Sequence, residues 1–249
     1  MKFISLTETC STNLYARGLA EQGERGPLWV SAQQQSAGVG RRGREWVSGL
    51  GNLYASGLYP NAGTASDAAL MSFAAALAVA DSLEPYVARD LISLKWPNDV
   101  LLSGKKTAGI LLEGGPNWFI VGVGINLMHH PEAAQFPATH VLEHISPEKL
   151  EGPEPVMTGP QAVLALLASR FNYWRDIYLI HGFEPLRMAW SARAHNIQGE
   201  VTVNLSGGSF SGRADGLCEN GALRVVLADG TIRDVQAGDV FFGSTAPKD

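Results

Sequence analysis

The longest apolar run of the chain, residues 68–80, is interrupted by a single polar residue, Ser72. This run is shorter than the roughly 20 apolar residues that a bilayer-spanning helix needs. It lies inside a helical pattern at residues 67–83 that ends before Pro85. A helix that is apolar on most sides must be covered on most sides. We therefore predict that residues 67–83 form the core helix of a folded domain.

Strand patterns surround this helix. Apolar segments predict strands at residues 2–6, 28–32, 53–58, 91–96, 100–102, 110–112 and 118–125. Helical periodicity with start and stop signals predicts further helices after residues 11–13, after a capping box at Thr158 and Gln161, and at residues 185–194. Residues 129–157 are rich in Pro, His and Glu and predict a loop-rich segment with at most one short helix.

The pattern of predicted secondary structure changes near Ala194. Beyond it, short strands recur about every ten residues with glycine-bearing turns between them, which is typical of a small all-β module. The predicted strands are residues 201–205, 209–215, 223–227, 232–235 and 240–242. We therefore divide the chain into domains at residues 1–194 and 195–249.

Composition limits the class of function. A formal net charge of −5 and a pI near 5.7 disfavour binding to nucleic acid or to an anionic membrane. The N-terminus lacks the pattern of a signal peptide, and Cys10 and Cys218 lie far apart without metal-type spacing. The six histidines likewise show no ligand-type spacing, so no metal site built by the protein is expected. These features predict a cytoplasmic protein with free thiols.

The loop at residues 35–46 concentrates glycine and arginine. Its sequence G-V-G-R-R-G-R-E-W (residues 38–46) combines backbone freedom with planar cationic donors, which suits binding of an anion. It also satisfies the G-x-G-x-x-G pattern of dinucleotide sites. That fingerprint must open a helix, however, and Gly49 and Gly51 disfavour a helix here. We therefore interpret the loop as an anion loop and not as a dinucleotide fingerprint.

Three further segments are rich in polar or charged residues. Ser11, Thr12 and Asn13 precede the first predicted helix, either as simple caps or as groups aimed at a ligand. The second segment is K-W-P-N-D (residues 95–99), followed by K-T-A-G-I (residues 106–110). The third is G-V-G-I-N (residues 122–126).

Read in this order, the four segments resemble the catalytic domain of the biotin protein ligase family, and the C-terminal module is similar to that family's small SH3-like domain. K-W-P-N-D with K-x-A-G-I-L, and G-x-G-R-x-G-R-x-W, are the most specific parts, and the resemblance covers the whole chain. It implies an α+β fold: a central mixed β-sheet flanked by helices, like that of class II aminoacyl-tRNA synthetases, with a C-terminal SH3-like β-barrel.

The resemblance also implies a two-step reaction. The carboxylate of biotin attacks the α-phosphate of ATP, which arrives with Mg²⁺, and forms biotinyl-5′-AMP and pyrophosphate. A specific lysine of a biotin carboxyl carrier protein then receives the biotinyl group. Attack of one anion on another requires positive charge already in place.

Site residues follow from matching positions in the motifs. The implied catalytic residues are Lys106, Arg41 and Asp99. The implied biotin-binding residues are Ser11, Thr12, Asn13, Gln35, Gly38, Gly40, Arg41, Lys106, Gly109 and Gly122. The implied ATP- or adenylate-binding residues are Arg41, Arg44, Trp46, Lys106 and Asn126.

Alternatives remain for several residues. Asp99 either orients or deprotonates the incoming lysine or merely closes the turn at residues 97–98, and the catalytic role is favoured. Trp96 is either core packing or a wall of the biotin pocket. Lys105 is interpreted as a solvated hairpin residue, and Arg42 as exposed.

Two departures from the family pattern carry expectations. Val39 stands where the family often has another arginine, so we expect weaker ordering of the loop over the adenylate. The catalytic domain begins at residue 1, so we expect no winged helix-turn-helix and no DNA-binding role.

Three other functions fit these residues less well than the ligase. Lipoate transfer by a related core is disfavoured by the two specific motifs. A binding module without catalysis is disfavoured by the presence of Lys106, Arg41 and Asp99. A gene regulator is disfavoured by the net charge. A homodimer is compatible with the family's habit of pairing through sheet edges.

Overall fold

A seven-stranded mixed sheet organises the computed structural model, which describes residues 1–61, 63–132, 137–146, 159–205 and 207–242. The strands are β1 (Lys2–Thr9), β2 (Leu28–Gln35), β3 (Leu53–Pro60), β4 (Ile92–Lys95), β5 (Asp99–Leu102), β6 (Lys105–Gly114) and β7 (Trp118–Ile125). Their order across the sheet is β1-β2-β3-β7-β6-β5-β4. The β1–β2 pair is parallel and the other pairs are antiparallel, which confirms the mixed sheet.

In the part of the chain that the structure describes, four α-helices lie beside this sheet: α1 (Thr12–Glu21), α2 (Ala65–Leu83), α3 (Pro160–His181) and α4 (Glu184–Ser191). Helix α2 is the predicted core helix, and it packs against α3, α4 and the sheet. A capping box between Thr64 and Asp67 starts it, a signal that sequence reasoning missed. By length and composition alone α2 could cross a membrane, but 67% of its most apolar window is buried in the protein.

A five-stranded antiparallel sheet forms the C-terminal module, in the order β11-β10-β9-β8-β12. Its strands are β8 (Glu200–Leu205), β9 (Gly208–Leu217), β10 (Leu223–Val226), β11 (Ile232–Val235) and β12 (Asp239–Phe242). This confirms the predicted small β module. Its buried side chains continue the core of the first sheet, and the buried Trp96 indole donates to the Gly221 carbonyl oxygen at 3.0 Å. The domain limits at residues 194 and 195 stay a prediction.

Most predicted elements occur within a few residues of their expected bounds. The extension of β1 to Thr9 and of β2 to Gln35 matters most, because these strands are parallel and end at the same edge. That edge lies beside the first turn of α1. The ends of β1 and β2 therefore bring residues 11–13 and Gln35 next to each other.

The start of α3 differs from its prediction. Thr158, the expected N-cap, lies outside the described residues, and Gly159 occupies the N-cap position with Pro160 after it. Proline is favoured at the first helical position because its missing N–H would have had no partner there. The predicted capping box with Thr158 therefore also lies outside the described residues, and the Gln161 side chain donates to Ser31 Oγ at 3.4 Å. In the predicted loop segment, residues 141–144 form one turn of 3₁₀ helix.

Candidate active site

A cavity of about 420 Å³ opens where β4 to β7, the first turn of α1, the loop at residues 35–46 and the start of β12 meet. All but one of the site residues predicted from the sequence line it. The predicted residues that line it are Ser11, Thr12, Asn13, Gln35, Gly40, Arg41, Arg44, Trp46, Asp99, Lys106, Gly109, Gly122 and Asn126. Their positions in the chain span more than a hundred residues, and the fold gathers them at one edge of the sheet.

Gly38 is the exception, because it is not one of the residues that line the cavity. A Cβ atom there would be 2.5 Å from the Trp46 carbonyl oxygen and 2.7 Å from Ser48 Oγ. The loop backbone closes on itself at this point, with the Trp46 N–H donating to the Gly38 carbonyl at 2.8 Å. The structure therefore explains this glycine by close packing within the loop.

One end of the cavity is polar and buried. The Thr12 backbone N–H and hydroxyl both donate to Gln35 Oε1, at 2.8 and 3.1 Å. Ser56 Oγ lies 2.8 Å from Thr12 Oγ1 and 2.5 Å from Asn13 Oδ1, and Asn13 Nδ2 donates to Glu113 Oε1 at 3.1 Å. Buried polar groups that are held in such a network keep a fixed orientation. Sequence reasoning missed Ser56 and Glu113.

Residues 11–13 lie both at the start of α1 and in the wall of the cavity. Ser11 occupies the N-cap position of α1, but its side chain makes no capping hydrogen bond. The three residues are 3–5% exposed and line the cavity.

Glycines on β6 and β7 let bulky groups approach the sheet. A Cβ atom at Gly122 would be 2.2 Å from Asn13 Oδ1. Gly109 and Gly124 pair across the two strands, and Cβ atoms there would be 2.7 and 2.4 Å from the Trp46 ring. The indole of Trp46 therefore rests on the sheet inside the cavity, and its Nε1 is buried with no hydrogen-bond partner among the described residues.

Positive charge collects around Lys106. Its Nζ lies 2.6 Å from Asp99 Oδ1 and 5.5 Å from the centre of the Trp46 ring. Asp99 is 9% exposed, and its carboxylate faces Lys106. The neighbouring Lys105 is exposed, as predicted.

Two further cations border this cluster. Arg41 Nη1 donates to Asn98 Oδ1 at 3.2 Å, and Asn98 Nδ2 donates to the Ile110 carbonyl at 2.7 Å. Burial lowers the pKa of Arg41 and of Lys95, although nearby carboxylates oppose this shift. Lys95 and Asn98 belong to the K-W-P-N-D motif, although they are not among the predicted site residues. Trp96 proves to be both buried core and cavity wall.

The arginine loop is connected to the C-terminal module. Arg42 Nη1 and Arg44 Nη2 contact the two carboxylate oxygens of Asp239 in β12, at 2.9 and 2.6 Å. Arg42 is exposed as predicted, yet it is also paired. Residues 41–43 form one turn of 3₁₀ helix and Val39 pairs with Glu45, so no α-helix follows the glycines. This agrees with the rejection of a dinucleotide fingerprint.

Residues 137–139 hold the backbone of Lys106. The Lys106 N–H donates to the Pro137 carbonyl at 2.8 Å, and the Thr139 N–H donates to the Lys106 carbonyl at 2.9 Å. The Asn126 side chain donates to the Thr139 carbonyl at 3.2 Å, which ties the predicted nucleotide-side residue to the same segment.

Sequence reasoning missed a group of possible metal ligands close to this segment. His130, His140 and Glu143 lie close enough together to hold a metal ion. Their spacing of ten and three residues follows no familiar ligand motif, and the only local signal was the His140-x-x-Glu143 pair.

Comparison with known proteins gives two family matches. The sequence model of the biotin/lipoate A/B protein ligase family matches residues 1–127, and that of the biotin protein ligase C-terminal domain matches residues 199–243. The chain is 37% identical over 246 residues to a biotin–[acetyl-CoA-carboxylase] ligase of Paracoccus denitrificans, covering 96% of this chain and 99% of the relative.

Two other proteins extend the comparison. The bifunctional ligase/repressor BirA of Bacillus subtilis (strain 168) is 31% identical over 243 residues, covering 94% of this chain and 71% of the relative. The structure of a biotin protein ligase from Aquifex aeolicus in complex with biotin and ATP matches with a TM-score of 0.77 at 26% identity, covering 97% of this chain and 99% of that one. Matches to both sheets, in sequence and in structure, lead to one conclusion: the chain belongs to the biotin/lipoate A/B protein ligase family.

Proposed function

We propose that this protein is an ATP-dependent biotin ligase that forms biotinyl-5′-AMP and transfers biotin to a lysine of a biotin carboxyl carrier protein. One observation carries the proposal: a single cavity joins a buried polar network at residues 11–13 to a cluster of cations around Lys106. The first suits a neutral polar ring system and the second suits phosphate. A substrate that carries a polar head and an activated carboxylate needs both.

The polar end binds the ureido ring of biotin in this proposal. Thr12, Asn13 and Gln35 offer donors and acceptors whose orientation is already set by their hydrogen bonds to one another and to the buried Ser56. Preset partners discriminate strongly against ligands that lack the matching polar groups, since such ligands would leave buried groups unpaired. Gly122 allows this network to lie close to the sheet.

The cationic end supports the first step. A biotin carboxylate oxygen attacks the α-phosphorus of ATP, and the bond to pyrophosphate breaks. Lys106, with Arg41 and Arg44, neutralises the reacting oxygens, and each unit pair at 4 Å is worth about 4 kcal/mol at an effective dielectric of 20. The Trp46 Nε1, a buried donor, gives a bound nucleotide one further hydrogen bond.

Asp99 serves the second step. The carrier lysine attacks the acyl carbon of biotinyl-5′-AMP, AMP leaves, and the attacking amine loses a proton. A phosphate group that takes over Lys106 releases the Asp99 carboxylate, which then accepts that proton. The 2.6 Å pair between Lys106 and Asp99 thus connects the two steps.

Mg²⁺ enters as part of the ATP complex in this proposal. Among the described residues that line the cavity, Asp99 faces Lys106, Asp239 faces Arg42 and Arg44, and only the carboxylate of Glu45 is exposed on the loop. Carboxylates that are engaged with cations are poor ligands for a dedicated magnesium site. The phosphate oxygens of ATP therefore hold the ion and reduce the charge that the protein has to neutralise.

Location and assembly remain expectations. We place the reaction in the cytoplasm, where carrier proteins of biotin-dependent carboxylases would meet the enzyme. A homodimer through the edge of the large sheet would use β1, which pairs with β2 on one side.

The test is biotin-dependent exchange of labelled pyrophosphate into ATP, with lipoate as the competing substrate. We expect exchange with biotin and none with lipoate. Exchange with lipoate alone would assign the cavity to lipoate transfer, and exchange with neither would reject the ligase activity.

Replacement of Gly122 by alanine is expected to weaken biotin binding roughly tenfold or more, because the added methyl displaces a buried hydrogen-bonding side chain. The Cβ atom would lie 2.2 Å from Asn13 Oδ1. Calorimetric titration with biotin measures the effect. Gly114→Ala on β6 is the matched control, since its Cβ meets nothing within 4 Å. Equal biotin affinity in the two variants would contradict the role given to Asn13.

Replacement of Val39 by arginine is expected to slow the release of biotinyl-5′-AMP several-fold, because a cation is added at the mouth of the phosphate end. Val39 is 44% exposed and lines the cavity, so the longer side chain has room. Adenylate released into solution is measured without carrier protein. Leu50→Arg, at an exposed position just after the loop that does not line the cavity, tests for a general charge effect. Equal release from the wild type and Val39→Arg would show that the missing arginine has no consequence.

A further inference from the structure

Three side chains of the types that bind metal ions lie close together outside the cavity. His130 follows the end of β7, and His140 and Glu143 lie at the 3₁₀ turn of residues 141–144. The Nδ1 atoms of the two histidines are 2.9 Å apart. Glu143 Oε1 lies 3.5 Å from His140 Nδ1 and 4.0 Å from His130 Nδ1. None of the three residues lines the cavity, so the group is separate from the proposed substrate site.

These distances fit one small metal ion. Zinc binds imidazole nitrogen and carboxylate oxygen at about 2.0–2.2 Å in tetrahedral geometry, which separates neighbouring ligand atoms by about 3.3–3.5 Å. The three distances, 2.9, 3.5 and 4.0 Å, lie on both sides of that separation. Small side-chain rotations would therefore complete the site. Two nitrogen ligands favour zinc over magnesium, which prefers oxygen ligands.

A further residue orients the carboxylate. The hydroxyl of the fully buried Thr139 donates to Glu143 Oε2 at 2.6 Å, which leaves Oε1 directed at the histidines. The same hydroxyl lies 2.9 Å from His144 Nε2. Groups that fix a ligand through its second atom are characteristic of metal sites.

We propose that His130, His140 and Glu143 bind one Zn²⁺ ion, with a fourth position open to water. The ion would join the end of β7 to the segment that pairs with Lys106. That segment holds the Lys106 backbone through Pro137 and Thr139. Zinc would thus stabilise the support of the cationic cluster without contacting the substrate.

The test is calorimetric titration of metal-free protein with zinc chloride, and then of His130→Ala, His140→Ala and Glu143→Gln. We expect one equivalent to bind the wild type, and each variant to lose at least about tenfold in affinity. Glu143→Gln guards against misfolding, because Glu143 is exposed and glutamine keeps an acceptor for Thr139. Cobalt(II) should give the visible absorption of a tetrahedral site in the wild type, and magnesium should give no binding signal.

His181→Ala is the matched control, because His181 is exposed at the end of α3. It should bind zinc as the wild type does. No zinc binding by the wild type, or equal affinity in the wild type and all three ligand variants, would overturn the proposal. An equal loss of zinc affinity in His181→Ala would also overturn it, because the zinc would then bind at unrelated positions on the protein surface. Because the readout is metal binding, failure here leaves the proposed ligase activity standing.

Discussion

Replacement of Lys106 by alanine is expected to lower biotin-dependent pyrophosphate exchange by about 10²–10³-fold, the cost of removing one preorganised charge stabiliser. Lys106 is the cation that faces Asp99 and the Trp46 ring in the cavity, with its side chain 25% exposed. Its ammonium would contact oxygens that share negative charge in the first transition state. The measurement is the exchange rate at saturating biotin and ATP.

Lys105→Ala provides the control for this experiment. Lys105 neighbours Lys106 on β6 but is exposed and does not line the cavity. It should exchange pyrophosphate as the wild type does. Equal losses in the two variants would mean that the strand, and not the charge, matters. An unaffected Lys106→Ala variant would remove Lys106 from the reaction.

Replacement of Asp99 by asparagine is expected to impair transfer to the carrier by about 10²–10⁴-fold, the usual contribution of a general base. Exchange of pyrophosphate should stay close to that of the wild type, because Lys106 keeps its charge. Transfer is measured in a single turnover from preformed biotinyl-5′-AMP over a range of pH. The rate of the variant should recover in part as pH rises, since more of the carrier lysine is then deprotonated.

Asp90→Asn is the control, since Asp90 is exposed and lies outside the cavity. It should leave both steps unchanged. A loss of exchange and transfer together in Asp99→Asn would indicate that Asp99 acts by holding Lys106 in place. A loss of exchange alone would reverse the assignment of the two steps.

The order of elements was largely predictable from the sequence. Alternation and apolar runs are local properties, so the strands from β1 to β7 and the core helix α2 could be placed within a few residues. The ends of the strands were less predictable. The last residues of β1 and β2 are polar, and only their pairing in the sheet extends these strands to Thr9 and Gln35.

The metal-type group shows why other features could not be predicted. His130 and His140 are ten residues apart, and their approach to 2.9 Å depends on how the segment after β7 folds back on β6. Neither spacing nor composition contains that information. Likewise, neither spacing nor composition predicts that Asp239 of the C-terminal module contacts Arg42 and Arg44.

By itself the sequence determined the family resemblance and the residue types of the cavity, because motifs place specific chemistry in short segments. Only the tertiary structure decided which of these groups touch. Asn13 and Glu113 are 100 residues apart, and Arg42 and Asp239 are 197 apart, yet both pairs are in contact. Sheet register and the packing of the C-terminal module set such contacts, and these depend on the whole chain at once.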